Sequence, residues 1–271
     1  MKIFSGKFCV VTGAGSGIGK ALSLRLLELG AIVYALDINA ERLAELETGD
    51  TSSRLHKTQI DITREEQVST LLAAITESAG NIDYLFNVAG ITIAGEARNL
   101  SREDWQRVLD VNLNGVINTT VESYRHMADR GHGHIVNIAS VQGLVPLPLE
   151  APYVTSKYAV VGLSQALRVE GRDLGVKVSV VCPGMVATPI FDSPMINIPR
   201  DRYEAYVKPW KRFAVSPQDC AESILRGVAK NRAIIPVTFM ARLMWWLGRI
   251  SPGALNAILI ADLGKLRASL K

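Results

Sequence analysis

Short apolar runs alternate along the chain with longer stretches in which apolar residues recur at helical spacing. The runs are rich in β-branched residues, a composition that is typical of buried strands. They cover residues 8–12, 32–37, 83–88, 134–139 and 176–182. Strands that alternate with helices predict a parallel sheet with helices on both faces, because parallel neighbours need a crossover connection. We therefore expect a doubly wound, mostly parallel α/β sandwich of three layers.

Capping residues mark where three of the intervening helices begin. A Ser or Thr followed three residues later by an acidic residue can satisfy free N–H groups in the first turn of a helix. The sets are Thr63 with Glu66, Ser101 with Asp104, and Ser216 with Pro217 and Asp219. No repeat, linker or low-complexity segment interrupts the pattern, so we expect residues 1–271 to form one domain.

The composition is that of a globular protein from a reducing compartment. The chain has 271 residues and 48% of them are apolar, which is enough for a full core. Its three cysteines, Cys9, Cys182 and Cys220, show no metal-ligand spacing, so we expect free thiols and no metal site. Residues 1–8 leave no room for the apolar part of a signal peptide, which predicts a cytoplasmic protein.

Positive charge is concentrated at the C-terminus. Residues 233–271 hold five basic side chains and one acidic side chain, and this balance of +4 equals the net charge of the whole chain. The other residues are neutral overall. A nucleic-acid-binding protein would need a broader basic face with aromatic residues that stack on bases, so we expect no nucleic-acid partner.

A glycine-rich loop follows the first predicted strand and leads into a helix. Gly13, Gly17 and Gly19 have the spacing Gly-x-x-x-Gly-x-Gly, which differs from Gly-x-Gly-x-x-Gly. Glycines allow a tight turn and the close approach of a pyrophosphate, whose charge is favoured at a helix N-terminus. The position of the loop between the first strand and the first helix therefore favours a dinucleotide-binding site.

The second predicted strand ends at Asp37. A carboxylate at this place can accept hydrogen bonds from both hydroxyls of an adenosine ribose. A 2′-phosphate would bring like charges together there, at a cost of about 1 to 4 kcal/mol. Ser16 and Ile38 occupy the positions where a basic residue would relieve that repulsion. We therefore predict NAD as the cofactor.

Tyr153 and Lys157 lie four residues apart, which places two side chains on one face of a helix. An ammonium beside a phenol favours the phenolate, and a useful base near neutral pH needs about 4 kcal/mol of such stabilisation. Lysine can supply part of this, and the positive ring of an oxidised nicotinamide can supply more. Tyr153 is therefore predicted to be a general acid and base.

These motifs together resemble the short-chain dehydrogenase/reductase family, in its single-domain Tyr-x-x-x-Lys branch, over residues 5–232. The resemblance implies a Rossmann-like fold and exchange of hydride between a secondary alcohol and NAD. The catalytic positions of the family match Asn112, Ser140, Tyr153 and Lys157. The cofactor-binding positions match Gly13, Ser16, Gly17, Ile18, Gly19, Asp37, Asp61, Ile62, Asn87, Ala89, Gly90, Tyr153, Lys157, Pro183, Gly184, Val186 and Thr188.

The resemblance also implies a role for each catalytic residue. Tyr153 would take the hydroxyl proton while hydride leaves the same carbon, and Ser140 would hydrogen-bond the oxygen. Lys157 would bind the nicotinamide ribose, and Asn112 would position a water. Val88 stands where the family's Asn-Asn-Ala-Gly turn has its second asparagine, which puts one hydrogen bond of the sheet in question.

The family resemblance divides the chain into functional segments. Residues 5–188 would form the cofactor and catalytic core, and residues 189–215 would form a variable substrate lid. Family members associate through long helices, here around residues 104–130 and 152–173, which implies a homodimer or homotetramer.

Apolar side chains dominate the expected lid and predict a lipophilic substrate, such as a steroid, retinoid or terpenoid alcohol or ketone. They are Ile190, Phe191, Met195, Ile196, Tyr203, Tyr206 and Trp210. Basic residues in the same segment leave open a 3-oxoacyl substrate on an acyl carrier or CoA. A non-catalytic NAD(H)-binding redox sensor and a sugar epimerase or dehydratase are further alternatives. The complete catalytic set disfavours the sensor, and the loop spacing disfavours the epimerase.

Residues 233–271 form an apolar and basic extension. Its apolar run at 239–247 is interrupted by Arg242 and is shorter than the ~20 residues that span a bilayer, so we expect no transmembrane helix. Trp245 and Trp246 lie between Arg242 and Arg249. This arrangement leaves three hypotheses for the extension, namely a substrate lid, a subunit contact or a peripheral contact with a membrane surface.

Overall fold

A parallel sheet lies at the centre of the computed structural model, which describes residues 1–46 and 53–270. In this part of the chain the strands are β1 (Phe8–Thr12), β2 (Ile32–Asp37), β3 (Leu55–Gln59), β4 (Tyr84–Asn87), β5 (Gly133–Ile138), β6 (Val176–Cys182) and β7 (Ile234–Pro236). Their order is β3-β2-β1-β4-β5-β6-β7, and every pair is parallel. The order reverses between β1 and β4, the place where such sheets bind ligands at the carboxyl ends of their strands.

Helices cover both faces of the sheet. In the described residues they are α1 (Gly17–Glu28), α2 (Ala40–Ala44), α3 (Glu65–Ala79), α4 (Arg102–Leu109), α5 (Gly115–Asp129), α6 (Ala151–Glu170), α7 (Arg200–Lys211), α8 (Pro217–Ala229), α9 (Phe239–Ile250) and α10 (Pro252–Ser269). Helices α1 and α8 pack against each other, as do α3 and α5. The doubly wound, three-layer architecture and the single domain are confirmed.

Two apolar clusters hold the helices against the sheet. Successive side chains of a strand point to opposite faces. Cys9 and Val11 of β1 accordingly join one cluster with Leu22 of α1, while Val10 joins the other with Leu72 of α3. All five side chains are buried, and full burial of a leucine contributes about 1.5 to 3 kcal/mol.

The strand prediction missed β3 and β7. Strand β3 has the sequence Leu-His-Lys-Thr-Gln and is only partly buried, because it lies at the edge of the sheet and pairs with β2. Its mostly polar composition therefore lacks the apolar run that marks the central strands. Strand β4 begins at Tyr84 and β5 at Gly133, each one residue from the predicted start.

Two of the three predicted helix caps are confirmed. Ser101 accepts a hydrogen bond from Asp104 N at 3.1 Å in a complete capping box, and Ser216 accepts one from Asp219 N at 3.0 Å. The prediction for Thr63 is wrong. Helix α3 begins at Glu65, and the Thr63 hydroxyl donates to Asp61 Oδ1 at 2.7 Å, because the aspartate turn competes for it.

The C-terminal extension packs against the body of the domain. Ala241 of α9 and Leu255 and Leu259 of α10 form a cluster with Val141 and Val145, which follow β5. The extension is therefore part of the same domain. Within residues 1–46 and 53–270, no helix is both long enough and apolar enough to cross a membrane.

Candidate active site

The loop between β1 and α1 needs glycine at two positions of positive φ. Gly13 has a φ of 66° and Gly17 a φ of 50°, both in the left-handed region. A Cβ at Gly13 would lie 2.8 Å from the Ala89 backbone, and one at Gly17 would lie 3.0 Å from the Thr188 methyl. The loop therefore approaches the turn after β4 and the loop after β6 closely. A cavity lies between these segments and Tyr153, and Ile18, in the first turn of α1, lines it.

Asp37 joins the end of β2 to this glycine loop. Its Oδ2 accepts a hydrogen bond from Gly15 N at 2.8 Å, and its Oδ1 accepts one from Asn39 N at 2.9 Å. Each oxygen keeps capacity for a further donor. Arg42, which the sequence analysis missed, also lies here, since a Cβ at Gly15 would be 2.8 Å from the Arg42 Cβ. The short helix α2 brings Arg42 back to the loop.

Asp61 and Ile62 follow β3 and have different surroundings. Asp61 Oδ1 accepts hydrogen bonds from the Thr63 backbone and hydroxyl, and the residue is half-buried. Ile62 is buried with its side chain against Gly115, and its carbonyl accepts from Asn118 at 3.0 Å. Of the predicted adenine pair, Asp61 is therefore the one whose side chain a base could reach.

Asn87 belongs to a buried network that links β4, α5 and β5. Its Nδ2 donates to Thr120 Oγ1 and to Asn137 Oδ1, both at 2.9 Å, and its Oδ1 accepts from the Thr119 hydroxyl at 2.7 Å. Its side chain is therefore satisfied inside the protein and braces the turn that follows β4.

The turn after Asn87 is held by its backbone. The N–H groups of Val88 and Ala89 donate to Thr12 Oγ1 at 3.0 and 3.2 Å, so valine in place of asparagine leaves the turn attached to β1. Gly90 lines the cavity, and a Cβ there would lie 3.2 Å from Asn112 Oδ1.

Tyr153, Lys157 and Ser140 come together beside the cavity. Tyr153 is 9% exposed and Lys157 is 3% exposed, and both lie on α6. Lys157 Nζ donates to the Ile138 carbonyl at 2.9 Å and lies 5.4 Å from the centre of the Tyr153 ring. Ser140, directly after β5, lines the same cavity, and its hydroxyl acts on the Tyr153 phenol.

Burial governs the pKa values of this group. Burial raises the pKa of Tyr153, the Glu150 carboxylate raises it further, and the hydrogen bond with Ser140 opposes the rise. Burial lowers the pKa of Lys157 to about 8. The lowering of the Tyr153 pKa by Lys157 and an oxidised nicotinamide stays a prediction, because the shift in the protein alone reflects desolvation, which disfavours the charged form of each group.

Asn112 lies in a π-helical turn, Asp110–Asn114, between α4 and α5. Such turns are frequent at functional sites. Asn112 is fully buried, and its Oδ1 accepts from Ile91 N at 2.8 Å. Its Nδ2 donates to Ile91 O at 2.9 Å and to Ser156 Oγ at 3.2 Å. The side chain thus joins the loop after β4 to α6, and Oδ1 keeps one acceptor site.

The loop after β6 is held against the start of α9. A Cβ at Gly184 would overlap the Thr238 hydroxyl, and the same hydroxyl oxygen accepts from Ala241 N at 3.0 Å to cap α9. The predicted cofactor residues of this loop line the cavity: Pro183, Gly184, Val186 and Thr188. The C-terminal extension therefore supports this loop.

A cavity of about 250 Å³ adjoins Tyr153, and its wall is mostly apolar. Six of the seven apolar residues of the expected lid line it: Ile190, Phe191, Met195, Tyr203, Tyr206 and Trp210. The seventh, Ile196, packs instead with Ile93, Val108 and Tyr153. Helices α9 and α10 contribute Met240, Met244 and Leu259 to the same wall.

A polar cluster that the sequence analysis missed interrupts this wall at Glu150. The Glu150 carboxylate accepts hydrogen bonds from the Thr92 hydroxyl at 3.2 Å and from Gln142 Nε2, and it also interacts with the Tyr203 phenol. Burial raises the pKa of Glu150, and these hydrogen bonds oppose the rise. No motif marks the cluster, because its members come from four separate segments.

A second carboxylate, Asp262 of α10, lines the same cavity and interacts with the Tyr206 phenol. Among the cavity-lining side chains that the structure describes, Lys157 is the one cation. The described residues contain no group of three or more His, Cys, Asp or Glu side chains arranged to hold a metal.

Comparisons with known proteins identify the family. Residues 7–195 match the family model for short chain dehydrogenase. A putative oxidoreductase, SadH, from Mycobacterium tuberculosis is 32% identical over 270 residues, 98% of each chain. The 3-oxoacyl-[acyl-carrier-protein] reductase FabG of Thermotoga maritima is 34% identical over 224 residues, which are 81% of this chain and 89% of that protein.

A solved structure from the same family has a similar fold. A short chain dehydrogenase/reductase from Burkholderia phymatum in complex with NAD superposes with a TM-score of 0.80 at 28% identity, covering 91% of this chain and 95% of that one. The fold and the Tyr-Lys site define an oxidoreductase of the nucleotide-binding α/β class. This chain belongs to the short-chain dehydrogenase/reductase family.

Proposed function

We propose that this chain interconverts a lipophilic secondary alcohol and its ketone with NAD(H). The observation that carries the proposal is the meeting of Tyr153, Ser140 and Lys157 at a largely apolar cavity that the glycine loop borders. The oxidoreductase from M. tuberculosis, similar along almost its whole length, and the NAD complex of the Burkholderia protein support it.

The residues of the cleft fit a dinucleotide. Asp37 offers acceptors to ribose hydroxyls, and Gly13 and Gly17 let the loop run close to Ala89 and Thr188 at the edge of the cleft. The other cofactor contacts belong to the same proposal. Ser16, Ile18 and Gly19 would hold the pyrophosphate, Asp61 and Ile62 the adenine, and Pro183, Gly184, Val186 and Thr188 the carboxamide, while Asn87, Ala89 and Gly90 would form the wall of the cleft.

Tyr153 Oη takes the hydroxyl proton of the alcohol in oxidation and returns it in reduction. Ser140 Oγ hydrogen-bonds the same oxygen and stabilises the charge that develops there. Lys157 would bind the ribose with its ammonium near the Tyr153 ring, and Asn112 would position a water through its remaining acceptor site. The nicotinamide, when bound, exchanges hydride with the substrate carbon and, when oxidised, adds positive charge that offsets the raised pKa of Tyr153.

A second candidate, a 3-oxoacyl reductase, is favoured by the FabG relative. The cavity matches it less well, because Glu150 and Asp262 would repel the phosphates of an acyl carrier or CoA. On the adjoining α7, Arg200 is paired with Asp192 and Glu204 on the surface. The apolar cavity is therefore better suited to a free lipophilic substrate.

The test follows formation of NADH from NAD across a panel of steroid, retinoid and terpenoid alcohols, with oxidation of NADH by 3-oxoacyl thioesters in parallel. Tyr153→Phe should lower turnover by about a hundredfold or more and keep NADH binding, measured by fluorescence. Unchanged turnover in this variant would overturn the mechanism. Faster turnover of the thioesters would favour the second candidate.

We propose that the chain forms a homodimer or homotetramer through α6. Its outer face carries exposed Tyr158, Gly162, Ala166 and Val169 at successive turns, and a Cβ at Gly162 would meet open space. A flat face of this kind allows two helices to pack closely. Light scattering coupled to gel filtration should give two or four times the mass of the chain, and Gly162→Arg should reduce it.

We also propose that the outer face of α9 contacts an anionic lipid surface. Four of its side chains recur every three or four residues: Phe239 (73% exposed), Leu243 (49%), Trp246 (56%) and Ile250 (77%). Arg242 and Arg249 are exposed beside this stripe, and the C-terminal surplus of positive charge complements anionic headgroups.

Sedimentation with vesicles of phosphatidylglycerol and phosphatidylcholine tests the lipid contact. The double variant Trp246→Ser/Ile250→Ser should lower the bound fraction several-fold, while Ile38→Ser, 64% exposed after β2, should not. A wild-type chain that never sediments with these vesicles, or a double variant that changes only the subunit number, would overturn the proposal.

A further inference from the structure

We propose that the cavity selects substrates with a second hydrogen-bond donor, a hydroxyl or an ammonium, and that Glu150 and Asp262 accept from it. This inference rests on the proposed function and narrows its substrate class. It predicts that a diol, hydroxyketone or amino alcohol is a better substrate than the corresponding simple alcohol.

Hydrogen-bond acceptors are in surplus around Glu150. A carboxylate has about four acceptor sites, and those of Glu150 accept from Thr92 and Gln142 and interact with the Tyr203 phenol. Gln142 donates its amide nitrogen to Glu150, and in the described part of the chain its buried Oε1 accepts no hydrogen bond. Buried acceptors without a donor are costly. A hydroxyl or ammonium of the substrate would donate to these acceptors.

The charges around the cavity also favour a substrate with a hydrogen-bond donor. Glu150 and Asp262 are two carboxylates, whereas the one cation described on the wall, Lys157, donates to the Ile138 carbonyl. The nearby Arg267 is directed to Glu96, at 3.0 Å, and has no place in the wall. A substrate ammonium would balance the carboxylates, and a substrate carboxylate would add a further negative charge.

The position of Glu150 relative to Tyr153 determines how far apart the two polar groups of the substrate can be. Glu150 is the N-cap residue of α6, three residues before Tyr153, and both side chains line the cavity. Residues three apart at the start of a helix are neighbours, so the two groups lie near each other. A small ring can therefore place its reacting carbinol at Tyr153 and a second polar group at Glu150.

The experiment uses cyclohexanols with a methyl, hydroxyl, ammonium or carboxylate group at C3 or C4. For the full-length protein with NAD, kcat/KM should be about tenfold or more higher for a donor-bearing ring than for its methyl counterpart, and lowest for the carboxylate. Glu150→Gln should abolish this ratio, and Asp262→Asn should reduce it. Glu204→Gln, a solvent-facing neighbour of Tyr203, should leave it unchanged.

The ratio of two substrates within one variant cancels any effect of Glu150 on Tyr153. Equal kcat/KM for the donor and methyl rings, or a preference that survives in both Glu150→Gln and Asp262→Asn, would overturn the inference while leaving the proposed function intact. Quenching of tryptophan fluorescence, measured for each ring in the wild-type protein and in Trp210→Phe, separates the inference from the proposed function. A binding preference for donor rings without turnover would support the inference and refute the proposed function.

Discussion

The Asp37 carboxylate accepts a hydrogen bond from the Gly15 backbone N–H at 2.8 Å, which joins the end of β2 to the glycine loop. Its charge should exclude a 2′-phosphate from this place. Asp37→Asn keeps the shape and removes the charge, so the ratio of kcat/KM for NADP to that for NAD should rise. We expect an increase of about tenfold to a thousandfold, which corresponds to the loss of about 1 to 4 kcal/mol of repulsion.

Arg42 gives this prediction a matched second variant. Its Cβ lies beside Gly15 and the end of β2, so its guanidinium is the positive group best placed to meet a 2′-phosphate. In the Asp37→Asn background, Arg42→Ala should lower kcat/KM for NADP several-fold and leave NAD nearly unchanged. Equal effects on both cofactors would show that Arg42 acts through the shape of the loop.

Gly13→Ala should destabilise the protein more than a glycine substitution in open space does. Gly13 combines a φ of 66° with a would-be Cβ 2.8 Å from the Ala89 backbone. Gly80 has a φ of 74° and nothing within 4 Å. Gly80→Ala should cost about 1 to 2 kcal/mol of backbone strain, and Gly13→Ala should cost more. Urea unfolding measures both, and equal losses would contradict a role for the Ala89 contact.

The central strands could be predicted because burial on both faces of a parallel sheet demands continuous apolar runs. The edge strand β3 is exposed to solvent along part of its length. Its His56 and Lys57 are exposed, so polar residues are tolerated there and the pattern disappears. The Thr63 cap failed for a related reason, since local competition with Asp61 depends on a turn geometry that spacing alone does not encode.

The candidate site divides in a similar way. Tyr153 and Lys157 are one helical turn apart, so their proximity follows from sequence. Arg42 and Asp262 could not be found by spacing, because each reaches the site only when separate elements pack together. Glu150 lies three residues before Tyr153, but no motif marks it. The rise in the pKa of Tyr153 could not be predicted from spacing, because burial and the Glu150 charge are both tertiary properties.

Glu150→Gln should shift the pH dependence of alcohol oxidation toward acid. The Glu150 charge raises the pKa of Tyr153, and oxidation needs the deprotonated phenol. Removing that charge lowers the pKa of Tyr153, so the rising limb of kcat/KM against pH should begin at a lower pH. The groups that act on Tyr153 besides Glu150 are Ser140 and Cys182, and neither is changed.

The same profile for Glu204→Gln provides the control, because Glu204 is paired with Arg200 on the surface. Its rising limb should coincide with that of the wild-type protein. An alkaline shift in Glu150→Gln would contradict an electrostatic role for Glu150, and would indicate that the substitution moves Tyr153 or Ser140 instead.

His134 should make stability depend on pH. It lies in β5, 5% exposed, with Nε2 at 2.8 Å from Ser179 Oγ. Burial lowers its pKa to about 3, and the charges of Lys177 and Arg168 add to this. Because the unfolded chain binds a proton near pH 6.5 and the folded chain does not, this stability is complete above pH 6.5 and is lost progressively as the pH falls toward 3.

Denaturant unfolding at pH 6.5 and pH 5 measures this effect. His134 should account for a fall of roughly 2 kcal/mol in the free energy of unfolding over that interval. His134→Gln keeps a donor for Ser179 and does not titrate, so its stability should fall by correspondingly less. Carboxylates titrate in both proteins. The contribution of His134 is therefore the difference between the two slopes of unfolding free energy against pH. Identical slopes would mean that His134 is protonated within the folded protein, and that β5 tolerates a charge between Ser179 and Tyr84.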